Sequence, residues 1–509
     1  MQGWTVEQQG IFNVFSDTST NLIIKASPGS GKTTVLRELW ERSDDATLYL
    51  AFNKSIVKEA EQKLKTKQHS DIMTFHGLGS RLCTRAFTRA FKSKLNTNKC
   101  YKYIKELEHT FPHRKEQSYS YMLYTAVQYC KSNLPLRAIT EPSIYLDEIS
   151  DLVEYYNLEV YQGIESDIAI VLHNSNRDTK TIDFADMLLL PVLYDVQFPF
   201  YELLLCDEAQ DISAIQREMI RKLHERNTHL RSVFVGDSHQ AIYGFRGALS
   251  NSLELLDDEF LCRSLPLTVS WRCSVAVVEE AQTVFPNDIL ASPDAKLGTV
   301  DCIQDKSDIE LNKELKPFQR KYPATIAALE NTRELYNESS FILCRTMAPL
   351  VSLAQQLLQA NIPCQVKGRD LGKAFISYIK KSKCEYVGDF LCYLDRETEK
   401  GLVLAKLQNN DAKIQSLCDR KDTLHIFAQN TGSIDCTDLI EYIEELFGQS
   451  KGIVLSTIHR AKGLEADVVF ILAPDLLPHP LARGQEALEQ ERNLAYVAIT
   501  RSRDVLYYI

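Results

Sequence analysis

Apolar residues run along this chain in two textures, and their order predicts the architecture. Short unbroken runs, Leu22-Ile23-Ile24, Leu48-Tyr49-Leu50-Ala51-Phe52, Leu203-Leu204-Leu205-Cys206 and Val233-Phe234-Val235, have the length and composition of strands buried on both faces. Between them, apolar positions recur at helical spacing, as in Val35-Leu36-Arg37-Glu38-Leu39-Trp40. Strand alternating with helix predicts an α/β fold with parallel sheets. Ahead of the first run, Thr5-Val6-Glu7-Gln8 predicts a helix start, with Thr5 as N-cap and Gln8 closing a capping box.

From about Leu78 the pattern becomes mainly helical. Sheet character is expected again near Thr181–Leu188 and then at Leu203–Cys206. At Leu267–Cys273 the alternation starts over, with strands expected at Phe341–Thr346 and Ile362–Val366. A second mainly helical stretch covers 371–449. Strand and loop then resume at Gly452–Glu465, followed by a strand at Val468–Leu472, a helix at Gln490–Arg501 and a final strand at Val505–Tyr508. The expected organisation is a first α/β domain from 1–77 and 183–265 with a helical insertion at 78–182. A second, from 266–370 and 450–509, carries a shorter helical insertion at 371–449.

Composition narrows this picture without redirecting it. With 509 residues, 44% hydrophobic and 25% charged, the chain is ordinary for a multidomain globular protein. A net charge of −10 excludes a generic polyanion binder, so any nucleic-acid site must be a local basic patch. One candidate is 81–105, where Arg81, Arg85, Arg89, Lys92, Lys94, Lys99, Lys102 and Lys105 occur without an acid and with Phe87, Phe91, Tyr101 and Tyr103 interleaved. Such a run is either a solvated face or a phosphate-contacting one. The thirteen cysteines contain no C-x-x-C pair, which argues against zinc or iron–sulfur sites and for buried thiols in a reducing compartment. No leader-like or membrane-spanning run is apparent, so a cytoplasmic location and no membrane contact are expected.

Candidate chemistry enters at Ala26-Ser27-Pro28-Gly29-Ser30-Gly31-Lys32-Thr33, between a strand and a helix. This is the phosphate-binding loop pattern with Ala26 in place of the first Gly. Glycines let the backbone N–H groups wrap close to oxygens, and the helix N-terminus adds positive potential. Lys32 would reach the β- and γ-phosphates, and the Thr33 hydroxyl would hold Mg²⁺. Downstream, Asp207-Glu208 ends an apolar strand. Asp207 there would hold Mg²⁺ through water, and Glu208 would orient and deprotonate an attacking water. Gly236–Ala248 places Gln240, Tyr243, Phe245 and Arg246 in one loop, with hydrogen-bonding and stacking groups or simple turn chemistry as the alternatives. Arg272 and Arg501 have no obvious partners in the sequence. They are either surface ion pairs or arginines brought to a γ-phosphate across a cleft.

The order of these segments resembles superfamily-one DNA helicases of the UvrD/Rep/PcrA type. The matching stretches are Gln8; Ala26–Thr33; Ala51–Lys54; Thr74-Phe75-His76; Asp183–Asp186; Asp207–Asp211; Gly236–Ala248; Trp271-Arg272; Ser456–Glu465; and Glu491–Arg501. The resemblance implies two RecA-like P-loop motor domains, with ATP and Mg²⁺ used between them. It implies that Gln8 reads the adenine edge and Trp271 stacks on the base. Residues 26–33 and Thr34 hold phosphates, and Glu465 bonds the ribose. Gln240 couples the γ-phosphate to DNA, and Arg272 and Arg501 contact the γ-phosphate. Phe52, Asn53, Lys54, Thr74, His76, Tyr243, Phe245, Arg246, His459 and Lys462 would line the single-strand path.

The implied activity is ATP-dependent translocation on single-stranded DNA and unwinding at single-strand/duplex junctions, 3′→5′, by a monomer, with protein partners in repair or replication. The short second insertion leaves open a DNA-stimulated ATPase that strips or remodels DNA-bound complexes without robust unwinding. A small-molecule P-loop kinase would leave Gly236–Ala248 and Ser456–Arg501 unexplained.

Overall fold

Alternation within the strands shows why their sequences are apolar throughout. In β1 (Leu22–Ala26), Leu22 and Ile24 belong to the core on one face of a sheet, with Ile11, Phe12 and Leu36. Ile23, between them, belongs to the core on the other face, with Leu78, Leu123 and Leu172. In β2 (Thr47–Ala51), Tyr49 and Ala51 join the first face and Leu48 and Leu50 the second. A sheet covered on both sides has no polar face, and each fully buried Leu or Ile contributes about 1.5–3 kcal/mol.

The computed structural model describes the chain except residues 1–2, 88–95, 97, 111–116, 156–162, 243–250, 304–339 and 408–410. The chain falls into two units, Met1–Thr268 and Val269–Ile509. The first is built on β1, β2, β3 (Asp71–Thr74), β4 (Leu203–Cys206), β5 (Arg231–Gly236) and β6 (Arg263–Leu267). All pairings are parallel, in the order β3-β2-β4-β5-β1-β6. The second unit opens on a two-stranded pair, β7 (Val269–Ser270) and β8 (Leu290–Ala291). Its main sheet comprises β9 (Thr299–Cys302), β10 (Phe341–Cys344), β11 (Cys364–Val366), β12 (Ile453–Thr457), β13 (Ala466–Ile471) and β14 (Ser502–Tyr508). These are again parallel, in the order β11-β12-β10-β13-β14-β9. Between β11 and β12 run helices Arg369–Ser382, Val387–Leu407, Asp411–Thr431 and Cys436–Gly448, whose apolar side chains share one core with Ile342 and Leu455.

Three expectations need correction. Thr181–Leu188 does not return to sheet: a helix runs over Phe184–Leu193. Asp183 caps it, accepting the Asp186 N–H at 2.8 Å, while Asp186 accepts the Asp183 N–H at 3.1 Å. Met187 to Val192 are all buried, so the run shows no polar period to tell helix from strand.

The basic run over 81–105 is not one exposed stripe. The Arg81 guanidinium donates to Asp71 at 2.7 Å. Lys99 is fully buried and donates to Asp186 and to the Asp178 carbonyl, both at 2.6 Å. The helix carrying Arg81 and Arg85 ends at Ala86, and Arg89, Lys92 and Lys94 lie outside the described residues. The thirteen cysteines are free thiols as expected, but Cys302 and Cys392 are exposed rather than buried. No helix among the described residues is long and apolar enough to cross a membrane.

Candidate active site

In a parallel sheet the turns after the strands converge at the carboxyl edge. The first unit gathers its polar side chains there. The loop after β1 is shaped by Gly29 (φ 71°) and Gly31 (φ 90°), both in the left-handed region that only glycine enters without strain. Ser27 anchors the loop by donating its N–H to the Leu267 carbonyl at 2.9 Å, and the Ser30 hydroxyl donates to the Ser27 carbonyl at 2.8 Å. Ala26 is buried at the end of β1, and Pro28 completes the turn. Gly31 caps the helix Lys32–Arg42, so Lys32, Thr33 and Thr34 occupy its first turn beside open backbone N–H groups.

Gln8 keeps its capping role, its Oε1 accepting the Thr5 N–H at 3.0 Å. Its amide nitrogen also lies against the loop: a Cβ placed on Gly31 would sit 3.4 Å from it. The two readings of Gln8 are therefore compatible, because capping uses the oxygen and leaves the nitrogen on the loop side.

Asp207 and Glu208 follow β4. Both Asp207 oxygens are held, Oδ2 by the Tyr49 hydroxyl at 3.0 Å and Oδ1 by the Glu208 N–H at 2.9 Å. Burial, with the adjacent Glu208 charge, pushes the Asp207 carboxyl up to about 6, against the pull of Lys32. Lys32 Nζ lies 3.5 Å from Glu208 Oε2. Glu208 sits at φ 53°, and this left-handed residue turns the strand into a short 3₁₀ turn. A buried carboxylate that resists ionisation beside a second carboxylate is short of positive charge, which suits a divalent cation. Among the described residues no group of three or more His, Cys, Asp or Glu side chains could hold a metal unaided. Thr33 and Asp207 are the residues here that could hold Mg²⁺.

Sequence reasoning missed the residues that join this pair to the next loop. Gln210 is buried and donates to Glu208 Oε2 at 2.6 Å, while its Oε1 accepts the Asp237 N–H at 3.0 Å. Asp237 in turn accepts from Gln240 Nε2 at 2.8 Å and from the His239 N–H at 3.0 Å. Burial raises the Asp237 carboxyl above its ordinary value. Only the spacing of Gln210 two residues after Glu208 hinted at this.

The second unit builds its own cluster. Sequence left Arg272 and Arg501 without partners; the structure supplies them. Arg272 is ion-paired with Glu465, and its Nη1 donates to the Thr500 carbonyl at 3.4 Å. Arg501 is 1% exposed and donates to the Val497 carbonyl at 3.0 Å, the Leu464 carbonyl at 3.1 Å and Thr500 Oγ1 at 3.3 Å. Neighbouring strands β13 and β14 bring this about, since their register pairs Ala466 with Ser502 and so sets Glu465 beside 501–503. Arg503 also donates to Glu465 at 2.6 Å and to Asp467 at 3.1 Å. Burial would push the Glu465 carboxyl up, but Arg272 and Arg503 outweigh it and hold the group below its ordinary value. Trp271, one residue before Arg272, is 37% exposed and presents part of its ring to solvent.

The candidate strand-path residues of the first unit follow adjacent strands. Phe52, Asn53 and Lys54 come after β2, with Asn53 capping the next helix through the Ser55 N–H at 2.9 Å. Thr74 and His76 come after β3, with Thr74 Oγ1 accepting the Gly77 N–H at 3.0 Å. Burial lowers the His76 basicity, so the ring is neutral near pH 7. Its edge meets Phe184 at 6.2 Å between ring centroids, and Phe184 is 51% exposed despite its apolar ring. Phe184 was hidden in a segment read as sheet. In the second unit, His459 lies on the short helix Ile458–Ala461 after β12, and Lys462 follows it. Tyr243, Phe245 and Arg246 lie outside the described residues.

Comparison with known proteins gives these clusters a family. The sequence model of the UvrD/REP helicase N-terminal domain matches residues 4–261, and that of the UvrD-like helicase C-terminal domain matches 407–509. The chain is 25% identical over 537 residues to F-box DNA helicase protein 1 of Schizosaccharomyces pombe, covering 99% of this chain and 57% of that protein. It is 21% identical to the ATP-dependent DNA helicase PcrA of Staphylococcus epidermidis, covering 96% and 81%, and 22% identical to PcrA of Staphylococcus aureus over the same shares. It thus spans little more than half of the first relative's length. With a helicase N-terminal match over half the chain and two parallel α/β sheets of RecA-like motor type, the chain belongs to the UvrD/REP helicase family.

Proposed function

We propose that this protein hydrolyses ATP with Mg²⁺ to translocate 3′→5′ on single-stranded DNA and to unwind duplex at single-strand junctions. The observation that carries the reading is the convergence of Lys32, Asp207, Glu208 and Gln240 on one carboxyl sheet edge that also bears Phe52, His76 and the exposed Phe184.

ATP supplies the transferable phosphoryl group and Mg²⁺ neutralises its oxygens. The loop 26–31, Lys32 and Thr34 would hold the phosphates, while Thr33 and Asp207 would hold the metal. Glu208 orients a water and takes its proton. Arg272 and Arg501 bring positive charge to the γ-phosphate. Transfer of Arg272 from Glu465 to a phosphate would leave Glu465 paired with Arg503. Glu465 then serves the ribose, Trp271 the base face and Gln8 its edge. Phe52, Asn53, Lys54, Thr74, His76, His459 and Lys462 contact the strand by stacking and phosphate bonding, with Tyr243, Phe245 and Arg246 as their partners in the same role.

The domains assigned from sequence, a cytoplasmic location, a monomeric state and protein partners in repair or replication belong to the same proposal. The compact helical segment between β11 and β12 favours one second reading, a DNA-stimulated ATPase that strips bound complexes without robust unwinding. Strand displacement on 3′-tailed, 5′-tailed and blunt duplexes separates them. Preference for a 5′ tail sinks the polarity. DNA-stimulated ATPase with no displacement on any substrate selects the second reading. Glu208→Gln is expected to bind ATP and barely turn it over, and near-normal turnover removes Glu208 as the base.

A further inference from the structure

We propose that Arg460 is a backbone-phosphate contact for single-stranded DNA and that Asp370 masks it: the Asp370 carboxylate fills the guanidinium fork that a strand phosphate takes over. The inference rests on the turn after β12 lining the strand path.

Arg460 stands between His459 and Lys462, on the short helix Ile458–Ala461. Beside it runs the turn after β11. The Lys367 N–H donates to the Leu455 carbonyl at 2.8 Å, which carries the β11–β12 pairing one residue past β11. Gly368 then turns the chain at φ 127°, a conformation that favours glycine, and a Cβ there would lie 3.6 Å from Arg460 Nε. The guanidinium therefore lies across this turn and meets Asp370, in the first turn of the helix Arg369–Ser382. Arg460 Nη1 donates to Asp370 Oδ1 at 2.8 Å, and Nη2 donates to Oδ2. Two parallel N–H donors on two oxygens of one group is also how arginine binds phosphate.

Three observations favour a mask over a structural ion pair. The pair is open to water, with the Arg460 side chain 32% and the Asp370 side chain 72% exposed. Such a pair adds little to stability and exchanges readily. Asp370 is also the only acid between Glu338 and Glu385, in the company of Lys367, Arg369 and Lys373. A chain of net charge −10 needs local positive charge to draw a polyanion, and the one negative charge of this stretch is spent on Arg460. Finally, the Arg460 hydrogen bond holds the Asp370 carboxyl below its ordinary value. The mask stays charged at neutral pH, so a competing anion, not a proton, displaces it.

The test is the affinity of the full chain for a labelled oligothymidylate, read by fluorescence anisotropy at several salt concentrations. Asp370→Asn keeps the shape and removes the charge, and is expected to tighten binding roughly three- to ten-fold. A gain of affinity cannot come from misfolding. Arg460→Ala is expected to weaken binding by a similar factor and to lower the slope of log affinity against log salt by about 0.7, one phosphate contact on a single strand. In the Arg460→Ala background, Asp370→Asn is expected to change affinity by less than about two-fold, since its effect passes through that arginine. Equal tightening in both backgrounds would reflect only the general field of the carboxylate and overturns the inference. So does Asp370→Asn without tightening, or an unchanged salt slope in Arg460→Ala while Lys462→Ala weakens binding. If His459→Ala and Lys462→Ala both bind as wild type does, the strand path itself fails at this turn, and the inference with it.

Discussion

Lys32 Nζ stands 3.5 Å from Glu208 Oε2, so the proposed phosphate-binding cation also faces the proposed base. A single ammonium that serves both cannot be replaced by a neutral group. Lys32→Ala is expected to reduce ATPase roughly 100- to 1,000-fold and to abolish strand displacement with it. Steady-state ATPase and a tailed-duplex assay check both, and movement on DNA without Lys32 would refute the assignment.

Lys131 and Lys99 set a stability prediction. Lys131 is fully buried and donates to Asp186 at 2.6 Å, Asp183 at 3.1 Å and Ser175 at 2.9 Å, and Lys99 donates to Asp186 as well. Both lysines come from helices between β3 and β4, and both aspartates from the start of the helix after them. Lys131→Met leaves Asp183 short of its main counter-charge and is expected to cost about 3–5 kcal/mol, read as a lower urea midpoint.

Asp183 gives the pH dependence. Burial alone would raise its carboxyl, but the Lys131 charge and the Asp186 N–H outweigh this and hold it below the ordinary value. The unfolded chain therefore binds that proton more readily than the folded one. The stabilisation is present above about pH 4 and is lost as pH falls through the folded value. Asp183→Asn is expected to be less stable than wild type at pH 7, with the gap narrowing as pH falls below about 4. Urea titrations on either side of that value test it, and an unchanged gap would contradict the sign.

Arg272 and Glu465 predict a test of geometry against charge. A lysine keeps the charge but not the planar fork that holds Glu465 and would meet a phosphate. Arg272→Lys is expected to lower ATPase kcat roughly 100-fold, while Glu465→Ala chiefly raises the KM for ATP. Wild-type kcat in Arg272→Lys would place Arg272 outside the chemistry.

Phe184 presents an exposed ring beside His76. If bases stack there, Phe184→Ala weakens single-strand binding by about 1–3 kcal/mol and Phe184→Trp retains it. Fluorescence anisotropy with a labelled oligonucleotide measures the difference, and nucleotide binding should not change in either variant. Equal DNA affinity in Phe184→Ala would exclude the stacking role.

Elements whose instructions are contiguous were legible before folding. Gly29, Gly31 and Lys32 stand within four positions of one another, and their backbone and helix-end roles need no distant partner. Thr5 with Gln8 capped its helix as read. Thr181–Leu188 was misread because the unbroken burial of Met187 to Val192 erased the period that distinguishes helix from strand. Lys99 was misread because charge along a sequence says nothing of burial, and its partner Asp186 is 87 positions away.

Sequence alone determined the glycine-rich turn between β1 and the helix Lys32–Arg42 and the two carboxylates at the end of β4, because backbone conformation and alternation act over a few neighbouring residues. Folding decided which charges are answered. Arg272 meets Glu465, Tyr49 meets Asp207 and Gln210 meets the Asp237 N–H only after parallel strands set their turns side by side. Hydrogen bonds and ion pairs depend on separation in space, and for these groups strand order, not chain order, sets that separation.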